Sequence, residues 1–556
     1  MTTFEDLILT LDSYLGSATY FPFLLVSVGV FFSIYLKMPQ VRYFRYAWSV
    51  LRGKHTPKDA PGDVTHFQAL ATALSGTVGT GNVGGVAFAI HLGGPAALFW
   101  MWVTAFVGMT TKFVEVTVSH KYREQDESGH VAGGPMYYMD RGLKMRWLAV
   151  GFAAALIISS FGSGNMPQSN NVAAGLAVSF GIPTPVTGIV FSILLALVII
   201  GGIERIAAVA ARLVPTMAVL YTFGALAVAA SNADQILPAF SAVFAGAFTG
   251  SAATGGFLGA SFAYAFNRGV NRGLYSNEAG QGSAAIAHAS AKTNEPVAEG
   301  MVAILEPFID TILICTLTGV AILASGVWQQ KHATEFALSE VEFVQGVYVD
   351  SNREHVDQLS AHLSLSPPAD DPVRPLNATL QVSDGVALDG DFTVIHSRSI
   401  AEDVRYFRDG APFSGAVEIA NGVPITPEIT LLGRSLLHSV PLTAEAFKTS
   451  FLGENGQYLV TISLVLFAFS TALAWSYYGD RGVTYLFGLK WTPLYRVIYV
   501  GAFFAATVVD TSIIWMISMV TTAMITLPNL LGILLVRKEV RYLVDDFWAR
   551  ARRSEF

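Results

Sequence analysis

Residues 71–90 read ATALSGTVGTGNVGGVAFAI, an apolar stretch that carries five glycines among small polar residues. A glycine in a helix interior costs about 1 kcal/mol relative to alanine, and unpaired backbone groups in hydrocarbon cost more. The segment is therefore poorly suited to a continuous helix that faces lipid. It predicts a transmembrane helix that unwinds near its midpoint while surrounded by protein.

An unwound midpoint exposes backbone groups that bind ions and acids. Its carbonyls, with the hydroxyls of Ser75, Thr77 and Thr80, are hard oxygen ligands for a small cation. Amides at the start of the second half-helix attract a carboxylate through the helix dipole. One break can thus bind a cation and an acid together. The alternative is that the glycines only let two helices pack closely, as in GxxxG pairs.

The composition is that of a membrane protein. Of the 556 residues, 52% are hydrophobic and 13% are charged, and the mean hydropathy is +0.48. These values lie outside the range of soluble domains. The single cysteine, Cys315, excludes an intramolecular disulfide and a cysteine-based metal cluster. We find no HExxH, GxSxG or P-loop motif, so the sequence predicts no enzyme.

Apolar runs of about 20 residues predict about eleven transmembrane helices. They lie at 20–36, 65–91, 96–120, 147–180, 185–200, 206–230, 255–275, 297–327, 458–478, 493–509 and 511–536. If successive spans cross the membrane in alternating directions, one side holds loops 37–63 and 121–146, the tail 537–553, and Arg205, Arg272, Lys292, Arg481 and Lys490. Because lysine and arginine favour the cytoplasm, this side is predicted to be cytoplasmic and the N-terminus extracytoplasmic.

The predicted organisation has five parts. They are an extracytoplasmic N-terminal segment 1–17, a transmembrane core in two parts, 18–327 and 457–536, an inserted domain 328–456, and a basic cytoplasmic tail 537–556. The insert (328–456) is acidic and contains strand-like pieces with Asp-Gly turns, such as DGDFTVIHSRS at 389–399. We expect a small extracytoplasmic domain with β content, a structural addition more often than a substrate receptor.

Apart from the first span, the ten remaining predicted helices divide into two sets of five. Because five is odd, the second set runs opposite to the first, which is the topology of an inverted repeat with discontinuous first helices. The first helix of the second set, 255–275, is also glycine-rich, but its sequence does not place a break. The predicted fold class is therefore an all-α polytopic membrane protein with one extra helix before a 5+5 inverted repeat.

Polar side chains within the predicted spans mark further candidates. The run SSFGSGNMPQSNN at 159–171 offers Asn165 and Gln168, and FAFSTALAW at 467–475 offers Ser470, Thr471 and Trp475. Two hydroxyls beside unwound carbonyls suit sodium, which prefers several oxygen ligands. Hydrogen bonds between helices, or back to the same helix, are the alternative interpretation.

Charged residues occur within the third and eighth predicted spans. They are Lys112, Glu115, Glu306 and Asp310. Charges inside a bilayer usually pair, so we expect structural pairing or gating more than substrate contact. His288 follows a basic loop and is expected to be an ordinary interfacial histidine.

Three blocks resemble the signatures of the alanine or glycine:cation symporter family. They are SGTVGTGN at 75–82, GGPAALFWMWVTAFVG at 93–108 and GLYSNEAGQGSAAIAHA at 273–289. The resemblance spans residues 15–327 and 456–540 and leaves the insert outside. It implies a fold of the amino acid-polyamine-cation superfamily and sodium- or proton-coupled uptake of alanine or glycine, without a cofactor.

The resemblance also implies a substrate site. Gly79, Thr80 and Gly81 would bind the carboxylate, Gln168 would face the amino group, and Trp475 would help to close a pocket for a very small side chain.

An ion site follows by analogy with the wider superfamily. Sodium would lie between the carbonyls of Ser75 and Val78 and the hydroxyls of Ser470 and Thr471. Asn82 would support the break, with Asn165 as a second supporting residue.

The expected protein is thus a symporter of a cell membrane, and we expect a bacterial inner membrane. Its expected partners are a small amino acid, sodium and lipid. No nucleic acid and no obligatory protein partner is inferred. A proton-coupled carrier or exchanger of another small amino acid is the first alternative, favoured if activity depends on Glu115 or Glu306 and not on sodium. A receptor with the insert as its sensor is the second, but the tail after Val536 is expected to be too short for an output domain.

Overall fold

The computed structural model describes residues 3–15, 18, 20–54, 60–336, 338–388, 390–426, 428–509 and 511–553. Most of the chain is helical, and the strands lie mainly in the insert. Parts of the predicted N-terminal segment and tail, and Lys58 of the first basic loop, lie outside the described residues.

Helices form the first part of the core. Up to the insert they are Thr3–Tyr14, Tyr20–Tyr35, Pro39–Arg42, Phe44–Leu51, His66–Thr77, Gly81–Gly85, Val86–Gly93, Ala96–Lys121, Pro135–Tyr137, Tyr138–Gly142, Arg146–Gly162, Met166–Phe180, Thr184–Ile199, Gly202–Ser231, Ala233–Thr249, Phe262–Asn277, Ala284–Ala289, Pro296–Ala303, Leu305–Pro307, Phe308–Cys315 and Thr316–Ser325. Those at Gly81–Gly85, Tyr138–Gly142 and Phe308–Cys315 are π-helical. Such turns inside α-helices are frequent at functional sites.

The chain returns to helices after the strands of the insert. These are Ser439–Lys448, Gly456–Phe487, Thr492–Ala506, Thr511–Leu535 and Arg537–Arg552. Among the described residues, six helical segments are long and apolar enough to cross a membrane: Ala96–Lys121, Arg146–Phe180, Gly202–Ser231, Pro296–Ser325, Gly453–Phe487 and Ile517–Leu535. The chain is therefore a multi-pass membrane protein. The count of eleven spans and their inverted repeat stay predictions.

We call two of the interrupted helices the first broken helix (66–93) and the second broken helix (262–289). A capping box begins the first one, in which Thr65 Oγ1 accepts from the Gln68 amide at 3.2 Å and Gln68 Oε1 accepts from the Thr65 amide at 3.0 Å. The second break, which the sequence does not place, lies at residues 278–283.

The structure corrects the boundaries of two predicted spans. The span at 255–275 begins as a helix only at Phe262, because residues 251–260 form two isolated bridges and Gly250, Gly255 and Gly259 adopt positive φ. The span at 147–180 divides into two helices around residues 163–165. The helix Ala233–Thr249 is an addition that the sequence analysis does not predict.

Basic loops that are predicted to share one side of the membrane do contact each other. Arg481 pairs with Asp126 at 2.8 Å, Arg550 pairs with Glu295 at 2.6 Å, and Arg123 donates to the carbonyls of Ala289 and Ala291. Two residues that the prediction places on the cytoplasmic side, Arg481 and Arg272, lie within helices. Arg481 lies in Gly456–Phe487, and Arg272 lies in the second broken helix with its guanidinium 4.5 Å from the Phe88 ring centroid.

The insert contains three antiparallel sheets. In spatial order these are Ala411–Pro412, Glu402–Arg408, Thr430–Leu436 and Lys331–Phe336; Val423–Pro424, Gly415–Ala420, Ala378–Ser383 and Val386–Ala387; and Val341–Gln345, Phe392–His396 and Ser399–Ile400. The helix Arg353–His362 accompanies them. Buried aromatic and aliphatic side chains, including Phe343, Tyr406 and Leu431, form its own core. A short ribbon, Glu124–Gln125 with Val131–Ala132, lies elsewhere in the chain.

Candidate functional site

The first break lies at Val78 and Gly79. Val78 has extended dihedral angles, φ −75° and ψ 90°, between the helix His66–Thr77 and the π-helical turn Gly81–Gly85. The Gly79 amide donates to Asn82 Oδ1 at 2.8 Å, so a side chain supplies the acceptor that the interrupted helix lacks. The chain thus unwinds within the stretch that the sequence analysis singles out.

Asn82 also ties the first break to its surroundings. Its Nδ2 donates to Asp310 Oδ1 at 2.6 Å and lies 3.2 Å from Ser276 Oγ of the second broken helix. Asn82 and Asp310 are fully buried. Asp310 is therefore a partner of the broken helices, a role that its spacing from Glu306 does not reveal.

The residues predicted to bind sodium meet at the first break. Ser470 Oγ lies 3.3 Å from the Ser75 carbonyl oxygen. Thr471 packs against Gly79 so closely that a Cβ on Gly79 would lie 2.7 Å from Thr471 Oγ1. Ser75, Val78, Ser470 and Thr471 are all buried. Hard oxygen atoms from two helices are thus concentrated where a small cation could bind.

The hydroxyls of Ser470 and Thr471 also bond within their own helix. Each lies near the Phe467 carbonyl, at 2.9 Å from Ser470 Oγ and 3.0 Å from Thr471 Oγ1. A hydroxyl that donates its one hydrogen to a carbonyl keeps its lone pairs as acceptors. The bond within the helix is therefore compatible with an ion ligand and orients the oxygen.

A small cavity of about 20 Å³ lies beside this group. It is lined by Gly76, Thr77, Gly79, Thr80, Gly81, Ser163, Gln168, Tyr275, Glu278, Gln281, Thr471, Trp475 and Thr522. The lining includes all five residues predicted to bind the substrate: Gly79, Thr80, Gly81, Gln168 and Trp475. A volume of this size holds about one water molecule, so a larger ligand requires lining side chains to move.

Three polar atoms of the lining have no hydrogen-bond partner among the described residues. They are Thr80 Oγ1, Gln168 Oε1 and Gln281 Oε1, all buried. Gln168 is held at its other end, where Nε2 donates to the Ser163 carbonyl at 3.3 Å. Buried polar atoms are nearly always hydrogen-bonded, so these three mark places where a ligand atom is expected.

Asn165 does not line the cavity. Its Nδ2 donates to the Tyr499 carbonyl at 2.8 Å and anchors the start of Met166–Phe180 to the helix Thr492–Ala506. It contributes to the position of Gln168, which follows one helical turn later.

Glu278 is a cavity residue that the sequence analysis misses. It adopts a left-handed conformation, φ 54°, where the helix Phe262–Asn277 ends. Its carboxylate accepts from Trp475 Nε1 at 2.9 Å and from Ser283 Oγ at 2.5 Å. The signal in the sequence is a single acidic residue within the glycine-rich block 273–289. Trp475 thereby links the helix Gly456–Phe487 to the second break.

Gly164 lies directly beneath Trp475. A Cβ at this position would overlap the Trp475 side chain. The glycine therefore allows the indole to close over the helix break at residues 163–165.

A buried chain of charged groups lies near the cavity. Lys112 Nζ pairs with Glu306 Oε1 at 3.0 Å, and Glu306 Oε2 lies 3.8 Å from His288 Nε2. His288 Nδ1 lies 2.5 Å from Glu299 Oε1, and Glu299 also pairs with His66. His288 is fully buried and paired with Glu299, so it does not face solvent as an ordinary interfacial histidine would.

Glu115 has a separate partner. Its Oε1 accepts from Asn529 Nδ2 at 2.6 Å. The expected pairing of charges across helices thus holds for Lys112 and Glu306, whereas Glu115 and Asp310 are held by amides.

Interrupted helices around a buried polar cavity, in a multi-pass membrane protein, define a transporter and not an enzyme. The sequence profile of the Sodium:alanine symporter family matches residues 1–349 and 425–555. The chain belongs to the sodium:alanine symporter family. The unmatched residues 350–424 lie inside the insert.

Curated relatives agree with this family. The chain is 34% identical over 537 residues to the sodium/alanine symporter AgcS of Methanococcus maripaludis, covering 96% of this chain and 95% of the relative. It is 31% identical over 555 residues to an uncharacterized transporter of Haemophilus influenzae, covering 100% and 98%. It is 39% identical over 318 residues to the probable sodium/glutamine symporter GlnT of Bacillus subtilis, covering 57% and 65%.

Proposed function

We propose that this protein, as a sodium-coupled symporter, takes up alanine, glycine or both. The observation that carries the proposal is that the cavity lining holds a hydroxyl, Thr80 Oγ1, and an amide oxygen, Gln168 Oε1, that have no partner among the described residues. A hydroxyl donor suits a carboxylate, and an amide oxygen suits an ammonium group. An amino acid carries both groups on one carbon, and the printed name of AgcS supports alanine as the substrate.

The substrate carboxylate binds at the start of the resumed first broken helix. The Thr80 hydroxyl donates a hydrogen bond to it. The amides of Thr80 and Gly81 lie at the positive end of the helix dipole and also attract it. Gln168 then accepts from the ammonium group. Trp475 limits the space beyond the α-carbon, which favours hydrogen or methyl as the side chain.

Sodium binds between the Ser75 and Val78 carbonyls and the Ser470 and Thr471 hydroxyls. Its binding holds the first broken helix against Gly456–Phe487 and so fixes the positions of Thr80 and Gly81. Coupling arises because sodium and substrate bind one conformational state of the protein more tightly than the other. Bound substrate must therefore raise the affinity for sodium by the same factor by which bound sodium raises the affinity for substrate.

A second candidate is proton coupling. The buried chain from Lys112 through Glu306 and His288 to Glu299 favours it, because titratable groups in contact can transfer protons. Uptake that persists without sodium and is driven by an external acid pH would support this candidate.

The proposed orientation places the N-terminus and the insert outside and the C-terminus in the cytoplasm of a bacterial inner membrane. The contacts between basic loops support it, since lysine and arginine gather on the cytoplasmic side.

Binding of labelled alanine to the purified protein in detergent tests the site. We expect saturable binding in sodium that is at least tenfold weaker in potassium. We also expect weaker binding in Thr80→Val but not in Thr72→Val, whose hydroxyl lies in the half-helix before the break and donates to the Gln68 carbonyl at 2.8 Å. Equal affinity in the two salts would contradict sodium coupling.

A further inference from the structure

Three side chains that bind metals in other proteins converge between the insert and the membrane part. Glu340 ends the short helix Leu338–Glu340, His396 ends the strand Phe392–His396, and His438 precedes the helix Ser439–Lys448. One ligand-type atom from each lies within 4.8 Å of those of the other two. None of these residues belongs to the cavity described above.

The spacing of the three groups fits ligands around an ion better than direct hydrogen bonds. Glu340 Oε2 lies 3.5 Å from His396 Nε2 and 3.4 Å from His438 Nε2. N–H···O bonds are usually about 2.7–3.2 Å long. Tetrahedral zinc with bonds of about 2.0–2.1 Å separates its ligand atoms by about 3.3–3.4 Å.

His396 provides an independent sign of a missing ligand. Its side chain is fully buried, and Nε2 has no hydrogen-bond partner among the described residues. The other ring nitrogen, Nδ1, is held by Ser435 Oγ at 3.0 Å. His438 has the same arrangement, with Nδ1 held by Ser439 Oγ at 3.1 Å. Hydrogen bonds to the second ring nitrogen orient histidine ligands in metal sites.

His91, at the end of the first broken helix, supplies a fourth group. Its Nδ1 donates to the Leu437 carbonyl at 3.1 Å, which leaves an acceptor lone pair on Nε2. That Nε2 is buried and has no partner in the described part of the chain. The His91 ring centroid lies 5.4 Å from that of His438 and 6.1 Å from that of His396.

We propose that Glu340, His396 and His438 bind a divalent transition-metal ion of zinc type, with His91 in reach of the fourth position. Three imidazoles and one carboxylate suit zinc, which prefers nitrogen ligands and tetrahedral geometry. An ion has a route to the site, because the Glu340 and His438 side chains are 26% and 29% exposed.

The ion would connect the insert to the transport core. The helix Ser439–Lys448, which follows His438, contacts the first broken helix, where Thr443 Oγ1 donates to the Val83 carbonyl at 3.0 Å. A metal bond to His438 therefore joins the insert to the π-helical turn beyond the first break.

Another histidine of the insert, His362, has its two ring nitrogens on different carboxylates. His362 Nδ1 lies 2.6 Å from Asp371 Oδ2, and its Nε2 lies 2.9 Å from Glu342 Oε1. Both distances are those of hydrogen bonds, and the two ring nitrogens face different carboxylates. The Glu340 cluster differs because its imidazole nitrogens face a common carboxylate.

Titration of the chelator-treated, full-length protein with zinc chloride, followed by calorimetry, tests the site. We expect one saturable zinc ion per chain and affinity weakened by about 10–100-fold or more in His438→Asn and Glu340→Gln. His355→Asn is the matched control, because His355 lies in the same insert and accepts from the Val349 amide at 3.2 Å. Binding that is absent in the natural protein, or equal in His438→Asn, would overturn the proposal.

Cobalt substitution distinguishes the loss of a metal ligand from misfolding of the variant. Bound Co²⁺ in a tetrahedral nitrogen and oxygen site absorbs visible light, and zinc displaces it. We expect this absorption in the natural protein and in His355→Asn, and its loss in a monodisperse preparation of His438→Asn. The absorption of a six-coordinate, water-like Co²⁺ in all three proteins would contradict the proposed site.

Discussion

The hydroxyl oxygen of Ser470 lies 3.3 Å from the carbonyl oxygen of Ser75, although the two residues are 395 positions apart in the chain. The contact joins the last turn of the helix His66–Thr77, just before the first break, to the middle of Gly456–Phe487. Because both atoms are hard oxygen ligands, the contact places the proposed ion between the two helices whose relative position determines the shape of the cavity.

Ser470→Ala is expected to raise the sodium concentration for half-maximal alanine uptake about tenfold or more. A hydrogen bond or ligand contact to a charged group is worth about 1.5–3 kcal/mol, and about 1.4 kcal/mol is a factor of ten. Ser463→Ala is the matched control, since Ser463 is buried in the same helix about two turns before Ser470. An unchanged sodium dependence in Ser470→Ala would remove Ser470 from the ion site.

Gly164→Ala is expected to impair uptake by displacing Trp475. A methyl group at this position overlaps the indole, and overpacking a buried site costs about 1–3 kcal/mol. Gly151→Ala serves as the control, because a Cβ at Gly151 meets no atom within 4 Å. Uptake and thermal stability should both fall in Gly164→Ala only. Normal uptake in that variant would show that the position of Trp475 is not required.

The ion pair between Lys112 and Glu306 is expected to be essential for stability. Both side chains are fully buried, so removing one charge leaves the other uncompensated at a cost of about 3–5 kcal/mol. Lys112→Met should therefore lower the melting temperature in detergent strongly, and the double variant with Glu306→Gln should recover part of the loss. Additive losses in the double variant would show that the two charges do not depend on each other.

The insert is expected to lose stability in alkali through His362. Hydrogen bonds to Glu342, opposed by burial and aided by Asp371, raise the pKa of His362 from 6.5 to about 9. A raised pKa gives stability that is complete below the unfolded value and lost as the pH rises through the folded value. The protection factor for hydrogen exchange in helix Arg353–His362, taken relative to the intrinsic exchange rate at each pH, should therefore fall between pH 7 and about 10 in the full-length protein. The same fall in His362→Gln would assign the effect to another group.

Several features of the site follow from the sequence, and others need the fold. The first break is predictable because five glycines in one apolar stretch are incompatible with an ordinary lipid-facing helix. The second break is not, because Glu278 gives no local sign that it adopts a left-handed conformation. Its helix also begins later than hydropathy indicates, since the residues before Phe262 are apolar but form turns at Gly255 and Gly259.

Contacts between distant side chains are likewise invisible in a single sequence. Asp310 and Glu306 are four residues apart, yet one accepts from Asn82 and the other pairs with Lys112. The charge of Arg272 gives no sign of its surroundings, but the Phe88 ring covers its guanidinium within the protein. His396 and His438 lie 42 positions apart and converge only through the strands of the insert.

The central claim is tested most directly by uptake of labelled alanine and glycine into proteoliposomes with an imposed sodium gradient, compared with an equal potassium gradient. The account predicts accumulation with sodium alone, loss of most of it in Thr80→Val, and retention in Thr72→Val. Accumulation driven equally by either gradient, or only by an external acid pH, would contradict sodium coupling and the ion site at Ser470 and Thr471.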